Sequence, residues 1–417
     1  MFYYMELKRT AINFLEWSQK YTKTDMTYVA KGVFWWVIGK AVIFFIYFAT
    51  MAAFANWLSK ETFGTYQFVI AGLTLFGIFT LPEINTALIK SIAQKKEGTF
   101  QLAIKNKMKW GAIGGFLSLG LAGWYFLHGN NLLAIAFLLV ALFVPFKQTF
   151  QVFIYFWNGK KRFDLRAKYE IAYNGLVAFF LITAVYLTDN VLIIITAFLA
   201  GYTLFGYLLC LKIKRQIANE EEDPKAISFG KNLTLINALQ TATEYVDKII
   251  IWHFLGAVPV ALYTFANQPI QKIREAIPIV PLALPKLGES KIDEKKKKGI
   301  ITKFLRLFII AVPATVILVL TAPFLYQLFF PQYMESIVYF QTLAWLIALS
   351  PFLLLTAALI TEMNKKALFI TNTGAPLLKI ILFFALIPHF GIWGIIAAIL
   401  ITEVLRGLFA LYFFLKI

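Results

Sequence analysis

The chain has 417 residues, 60% hydrophobic and only 15% charged, with forty Lys and Arg against twenty-two Asp and Glu and a formal net charge of +18. A soluble protein of this length is nearer half apolar and a quarter charged, which excludes an ordinary water-soluble domain. The positive balance does not mark a nucleic-acid partner either, because the basic residues sit between apolar blocks and form no single patch.

Residues 1–31 mix polar and aromatic types, without the apolar stretch and cleavage site of a signal peptide. They are expected to form a cytoplasmic arm. Apolar blocks then recur at the length a bilayer needs, about 20 residues for a 30 Å hydrocarbon core. Twelve spans are expected, near 32–57, 64–89, 108–127, 131–157, 167–187, 190–211, 232–255, 261–285, 304–328, 336–361, 367–387 and 391–415. The fold class is therefore an all-α integral membrane protein.

The connections alternate. The odd ones are tight and hold a single cation, Lys60, whereas the arm, the even connections and the C-terminus carry 32 of the 40 Lys and Arg. The positive-inside rule places both termini and the even connections in the cytoplasm. Residues 212–231, with Glu220-Glu221-Glu222-Asp223-Pro224, form a polar linker between bundles at 32–211 and 232–417. A weak repeat supports that split: Trp57-Leu58…Gly64-Thr65-Tyr66 is echoed by Phe254-Leu255…Ala261-Leu262-Tyr263 at an offset of 197. Parallel repeats of this kind occur in rocking transporters.

Ionisable groups inside spans are costly and become functional candidates. The candidate cations are Lys40, Lys147, Lys248, Lys272, Arg274, Lys379 and Arg406; the candidate anions are Glu83, Glu244, Asp247, Glu275 and Glu403. This positive surplus suits an anionic cargo. Asn237, Thr241, Glu244 and Lys248 recur at helical spacing on span seven, as do Thr264, Gln268, Gln271 and Glu275 on span eight, with Lys272 and Arg274 flanking. Lipid cannot face such stripes, so they line a cavity or meet other polar groups. Glu244 with Lys248, and Arg406 with Glu403, are also spaced to neutralise each other. Prolines at 82, 269, 278, 281 and 285 mark kinks.

The single Cys210 forms no internal disulfide, and His128, His253 and His389 are scattered, so neither a metal site nor an enzyme is expected. No phosphate-cradling glycine loop points to a bound nucleotide or other cofactor. Energy is expected from an ion gradient or from removal of product, with Glu244 or Asp247 able to carry H⁺ or Na⁺.

Certain segments resemble a family. Ala30-Lys31-Gly32-Val33, then Gly39-Lys40, then Trp57-Leu58-Ser59-Lys60-Glu61-Thr62-Phe63-Gly64-Thr65-Tyr66 are similar to the first helix and following turn of polysaccharide flippases. These form the O-antigen translocase branch of the multidrug/oligosaccharidyl-lipid/polysaccharide exporter superfamily. Tyr245-Val246-Asp247-Lys248…Leu255-Gly256…Ala261-Leu262-Tyr263 resembles the family's seventh helix, and Pro281-Leu282-Ala283-Leu284-Pro285-Lys286-Leu287 its proline stretch. The resemblance implies two six-helix bundles around a central cavity. It also implies alternating-access transport of an undecaprenyl-pyrophosphate-linked oligosaccharide from the inner to the outer leaflet of a bacterial inner membrane, for polysaccharide or O-antigen biosynthesis. Cationic groups, carried over to Lys40 and Lys248 beside Asp247, would engage the pyrophosphate. Implied partners are the lipid-linked oligosaccharide, membrane lipids, a polysaccharide polymerase and a chain-length regulator. The alternatives are an ion-coupled drug exporter, which predicts an acidic cavity, and a polymerase or ligase, which the few-residue odd loops disfavour.

Overall fold

The computed structural model describes residues 26–277, 279–287, 292–362 and 365–416. The expected arm at 1–25, Pro278, and the side chains of Pro281 and Pro285 lie outside the described residues. Helices follow one another with no strand among the described residues: α1 Met26–Trp57, α2 Lys60–Phe76, α3 Ile84–Ala93, α4 Thr99–Leu127, α5 Asn131–Lys147, α6 Val152–Gly159, α7 Phe163–Leu187 and α8 Val191–Lys214 in the first half. The second half contains α9 Pro224–Thr243, α10 Val246–Leu255, α11 Ala257–Ala276, α12 Ile279–Leu287, α13 Glu294–Phe329, α14 Ile337–Ala348, α15 Phe352–Thr361, α16 Lys365–Phe369, α17 Ala375–Phe390 and α18 Ile392–Leu415.

Nine helical segments of the described residues are long and apolar enough to cross a membrane, and ten if the pair bent by 43° between residues 331 and 361 is one span. The two remaining rods, α9 with α10 and α11 with α12, are broken and more polar. Large apolar side chains cover the outside, Leu127 being 83% and Leu320 73% exposed. In water such a surface would aggregate; against lipid tails it is solvated.

Local chemistry sets the helix starts. Side chains of Ser59, Asn130, Asn190, Asp223 and Asp293 each accept a hydrogen bond from the first turn that follows, which satisfies amides that have no helical partner. Three of the tight turns rest on glycines at positive φ, Gly129 (+74°), Gly256 (+87°) and Gly391 (+55°), a region open to glycine at little cost.

The tight connections gather at one end, the short-loop side. There the Ser59 amide donates to Asp189 at 3.2 Å, Lys60 pairs with Glu335 at 2.9 Å, and Asn56 donates to the Phe329 carbonyl. Connections rich in Lys and Arg gather at the other end, the basic side. Here Glu97 accepts from the Ala218 amide and from Lys160, Asn219 donates to the Lys95 carbonyl, and Lys96 approaches Asp223 at 3.7 Å. Burial disfavours the Glu97 charge, yet the Ala218 amide and the Lys160 ammonium outweigh it and hold the carboxyl below its ordinary range.

Three expectations are corrected. The seventh span begins at Pro224, inside the stretch read as linker, because Asp223-Pro224 is a helix start. The third span begins at Thr99, so Lys107, expected in a loop, is fully buried within α4 with no hydrogen-bond partner for its Nζ among the described residues. The stripe on span seven is not continuous either. Tyr245 leaves helical geometry (φ −126°) and the Thr243 hydroxyl turns back to the Gln240 carbonyl. Glu244 is thereby exposed, while Asp247 and Lys248 turn inward.

Candidate functional site

A cavity of about 460 Å³ lies between the halves. It is lined by α1 (Lys40, Phe44, Tyr47, Thr50, Phe54), α2 (Tyr66, Gln67), α7 (Glu170, Asn174), α8 (Phe198, Tyr202) and α11 (Gln268, Lys272, Glu275). At 1.5 Å rise per residue, depth follows from distance along each helix to its short-loop end. Gln67 and Phe198 lie about 11 Å from that end, Tyr47, Tyr202 and Gln268 about 15–17 Å, and Lys40, Glu170, Lys272 and Glu275 about 23–27 Å. The charged groups thus form a rim toward the basic side, and the neutral ones a floor.

The floor is cross-linked between halves. The Tyr47 hydroxyl donates to Gln268 Oε1 at 2.6 Å, and Gln268 Nε2 donates to Gln67 Oε1 at 3.1 Å. Beyond it toward the short-loop side the halves close. Phe63 meets Phe265 at 4.8 Å between centroids, and Phe265 stacks on Tyr333 at 3.7 Å. Gly64 lies so near α11 that a Cβ would sit 1.9 Å from the Ala257 carbonyl oxygen. Only glycine permits that approach.

At the rim, Lys40 reaches Glu170 at 3.4 Å, and Glu170 is shared with Arg166 at 3.4 Å. Lys272 pairs with Glu275 at 2.7 Å and lies over the Tyr47 ring. The lysine side chains stay 42% and 39% exposed, so these pairs are hydrated and individually weak. The cationic surplus expected of the cavity is smaller than anticipated: two lysines face two carboxylates, and Arg166 just behind supplies the excess. A cation from each half nevertheless borders one opening, a geometry able to hold an anion between them.

Of the other sequence candidates, none lines this cavity. Lys147 lies behind the wall, 5.3 Å from the Phe198 and Tyr202 ring centroids. Asn237 donates to Glu83 of α3's leading edge at 2.9 Å and helps fasten α9 to the first half. Thr241 and exposed Glu244 end α9, where Lys379 reaches the Thr243 carbonyl at 3.3 Å. Asp247 accepts from the Tyr263 hydroxyl, which accepts from Asn267, which in turn accepts from Gln271 at 3.2 Å; this network is internal to the second half. Lys248 lies over the Tyr245 ring, not beside Glu244. Arg274 turns away to Glu403 at 3.1 Å, and Arg406 approaches the same carboxylate at 3.7 Å, as the sequence spacing suggested.

Sequence reasoning missed Arg166, Glu170 and Asn174, although they recur every four residues along α7. Glu170 and Asn174 fall inside the expected span at 167–187, whereas Arg166 falls just before it, which leaves the stripe without its first member. Tyr47 and Gln67 carry no such signal, being single polar groups among apolar neighbours. Among the described residues there is no cluster of three His, Cys, Asp or Glu able to hold a metal ion.

Comparison with known proteins places this architecture. The sequence profile of the family described as polysaccharide biosynthesis proteins matches residues 29–284. A Shigella flexneri protein assigned as an O-antigen transporter is 22% identical over 327 residues, 73% of this chain and 77% of that one. Among solved structures, the lipid II flippase MurJ in an inward closed conformation superposes with a TM-score of 0.67 at 13% identity, covering 92% of this chain and 87% of its own. An inward-facing multidrug resistance MATE transporter of the MOP superfamily gives 0.63 at 15% identity over 91% and 98%, and an outward-facing one 0.60 at 14% over 93% and 96%. The protein is thus a multi-pass α-helical membrane protein with the fold of MOP-superfamily transporters, and it belongs to the family of polysaccharide biosynthesis proteins.

Proposed function

We propose that the protein is a flippase that carries an undecaprenyl-pyrophosphate-linked oligosaccharide from the cytoplasmic to the outer leaflet of a bacterial inner membrane, by alternating access, for polysaccharide or O-antigen biosynthesis. The observation that carries the reading is the pair of exposed lysines, Lys40 from one half and Lys272 from the other, bordering one cavity between the halves. The diphosphate exchanges the loosely held carboxylates Glu170 and Glu275 for itself. Family membership and the likeness to a lipid II flippase support the cargo class. The segregation of Lys and Arg supports a cytoplasmic basic side with both termini there. The polyprenyl tail stays in lipid while the halves rock. Energy is read as an H⁺ or Na⁺ gradient, or removal of the product.

Transport of undecaprenyl-pyrophosphate-linked oligosaccharide into the outer leaflet of proteoliposomes tests this. Lys40→Ala with Lys272→Ala is expected to lower the rate by about tenfold or more, since each charge-assisted bond contributes about 1.5–3 kcal/mol. Unchanged transport would overturn the reading. The balanced charge of the rim supports a second reading, a drug or cation exporter. It predicts instead that Glu170→Gln abolishes efflux of cationic dyes.

A further inference from the structure

Lys40 and Lys272 account for a diphosphate but leave the floor above them unexplained. The floor holds no ionised group among its lining residues: its polar atoms belong to Tyr47, Thr50, Tyr66, Gln67, Gln268, Asn174 and Tyr202. Hydrogen bonding there runs one way, from the Tyr47 hydroxyl to Gln268 and from Gln268 to Gln67. The chain ends with the Gln67 Nε2 amide, which has no partner among the described residues although the residue is only 4% exposed. Across the floor, Phe198 and Tyr202 meet edge to face at 4.8 Å, and the Tyr202 hydroxyl approaches Asn174 Oδ1 at 3.4 Å.

This chemistry discriminates between ligand parts. An apolar tail would leave the buried Gln67 amide unpaired, a costly arrangement. A phosphate would find no cation lining the cavity at this depth: the rim lysines sit about 6–15 Å nearer the basic side, and Lys147 lies behind the Phe198 and Tyr202 rings. A cationic drug would find no carboxylate. Sugar hydroxyls both donate and accept, as amides and phenols do, and the C–H faces of a pyranose ring pack against aromatic rings.

We infer that this neutral amide and aromatic floor is a sugar-recognising subsite, with Gln67 its principal donor, and that it selects the sugar residue nearest the diphosphate. The inference rests on the flippase reading. It adds a direction: the diphosphate stays at the rim, at headgroup depth, and the sugar enters first, toward the short-loop side. Selectivity follows because a site built to hydrogen-bond a hydroxyl rejects an analogue lacking it more strongly than any apolar pocket can.

Equilibrium binding to the protein in lipid nanodiscs tests it, with undecaprenyl diphosphate and a panel of undecaprenyl-diphosphate-linked monosaccharides as probes. At least one monosaccharide lipid is expected to bind roughly tenfold more tightly than bare diphosphate, the effect of one or two added hydrogen bonds. Gln67→Met keeps the side-chain volume and should erase that difference while leaving bare diphosphate binding intact, which also reports a folded protein. Tyr202→Phe should reduce the difference, whereas Lys40→Ala should weaken both classes of lipid equally. If Gln67→Met preserves the sugar preference, or if no sugar improves on bare diphosphate, the subsite assignment falls and the flippase reading stands. If the wild type binds neither class, both fall.

Discussion

The seam between the two halves differs at its two ends. On the short-loop side it is dry and interlocked: Phe63, Phe265 and Tyr333 stack, and Gly64 admits the backbone of α11 at contact distance. Toward the basic side the same halves part around a cavity whose ions are half-paired and half-exposed. The tight end gains packing from neutral side chains, with the Lys60–Glu335 pair at its edge. The loose end keeps its charges wet and exchangeable, which is what a site needs if it is to accept an anion and later release it. In the proposed alternating-access cycle, closing one end while leaving the other open is one state, and it locates the contacts that must break in the next.

The largest expected effect comes from spoiling the tight end. Gly64→Leu places a side chain where even a Cβ would lie 1.9 Å from the Ala257 oxygen, and overpacking costs about 1–3 kcal/mol or more. Transport should fall at least tenfold, and cysteines introduced on the short-loop side should become reactive to aqueous thiol reagents. Full activity with a protected seam would separate Gly64 from closure.

A smaller effect, of opposite sign, is expected at the loose end. Glu170→Gln removes the carboxylate shared by Lys40 and Arg166. Affinity for undecaprenyl diphosphate in nanodiscs should rise about threefold to tenfold, and the rise should shrink as salt increases. A fall in affinity would show that Glu170 orients Lys40 rather than competing with cargo.

The smallest effect concerns the connection that ties the halves on the basic side. The Glu97 carboxyl is depressed below its ordinary 4.5 in the folded protein. It therefore binds protons more readily when unfolded, and its stabilising contribution is present above about pH 4.5 and lost as pH falls through the folded value. Limited proteolysis within residues 215–223 should accelerate on acidification below that range. In Glu97→Gln it should be fast and less dependent on pH. Equal protection of both proteins at all pH values would dissociate Glu97 from the tether.

Much of the fold is legible in the sequence, because hydropathy and charge segregation are sums over many residues and tolerate local error. The polar cavity is less legible, for a definite reason. Helical spacing carries information only while the helix continues, and α9 stops at Thr243, which scattered Asn237, Glu244, Asp247 and Lys248 into separate surroundings. Lys40, Gln268 and Lys272 were found because α1 and α11 run unbroken past the cavity. Glu170 and Asn174 were readable in principle, as a stripe with Arg166. Gln67 was not, since its meaning depends on Gln268 across the seam, 201 positions away in sequence.

The central claim is that the short-loop seam must open for cargo to leave. Asn56 and Gln332 face each other across it, Gln332 Nε2 donating to the Asn56 carbonyl at 3.3 Å. With Cys210 replaced by Ala, Asn56→Cys and Gln332→Cys can be joined by a short bifunctional thiol cross-linker carrying a reducible bond. The account predicts that cross-linked protein in proteoliposomes still binds the lipid-linked oligosaccharide but does not deliver it to the opposite leaflet, and that reduction restores delivery. Delivery at the uncross-linked rate with the seam locked would contradict it.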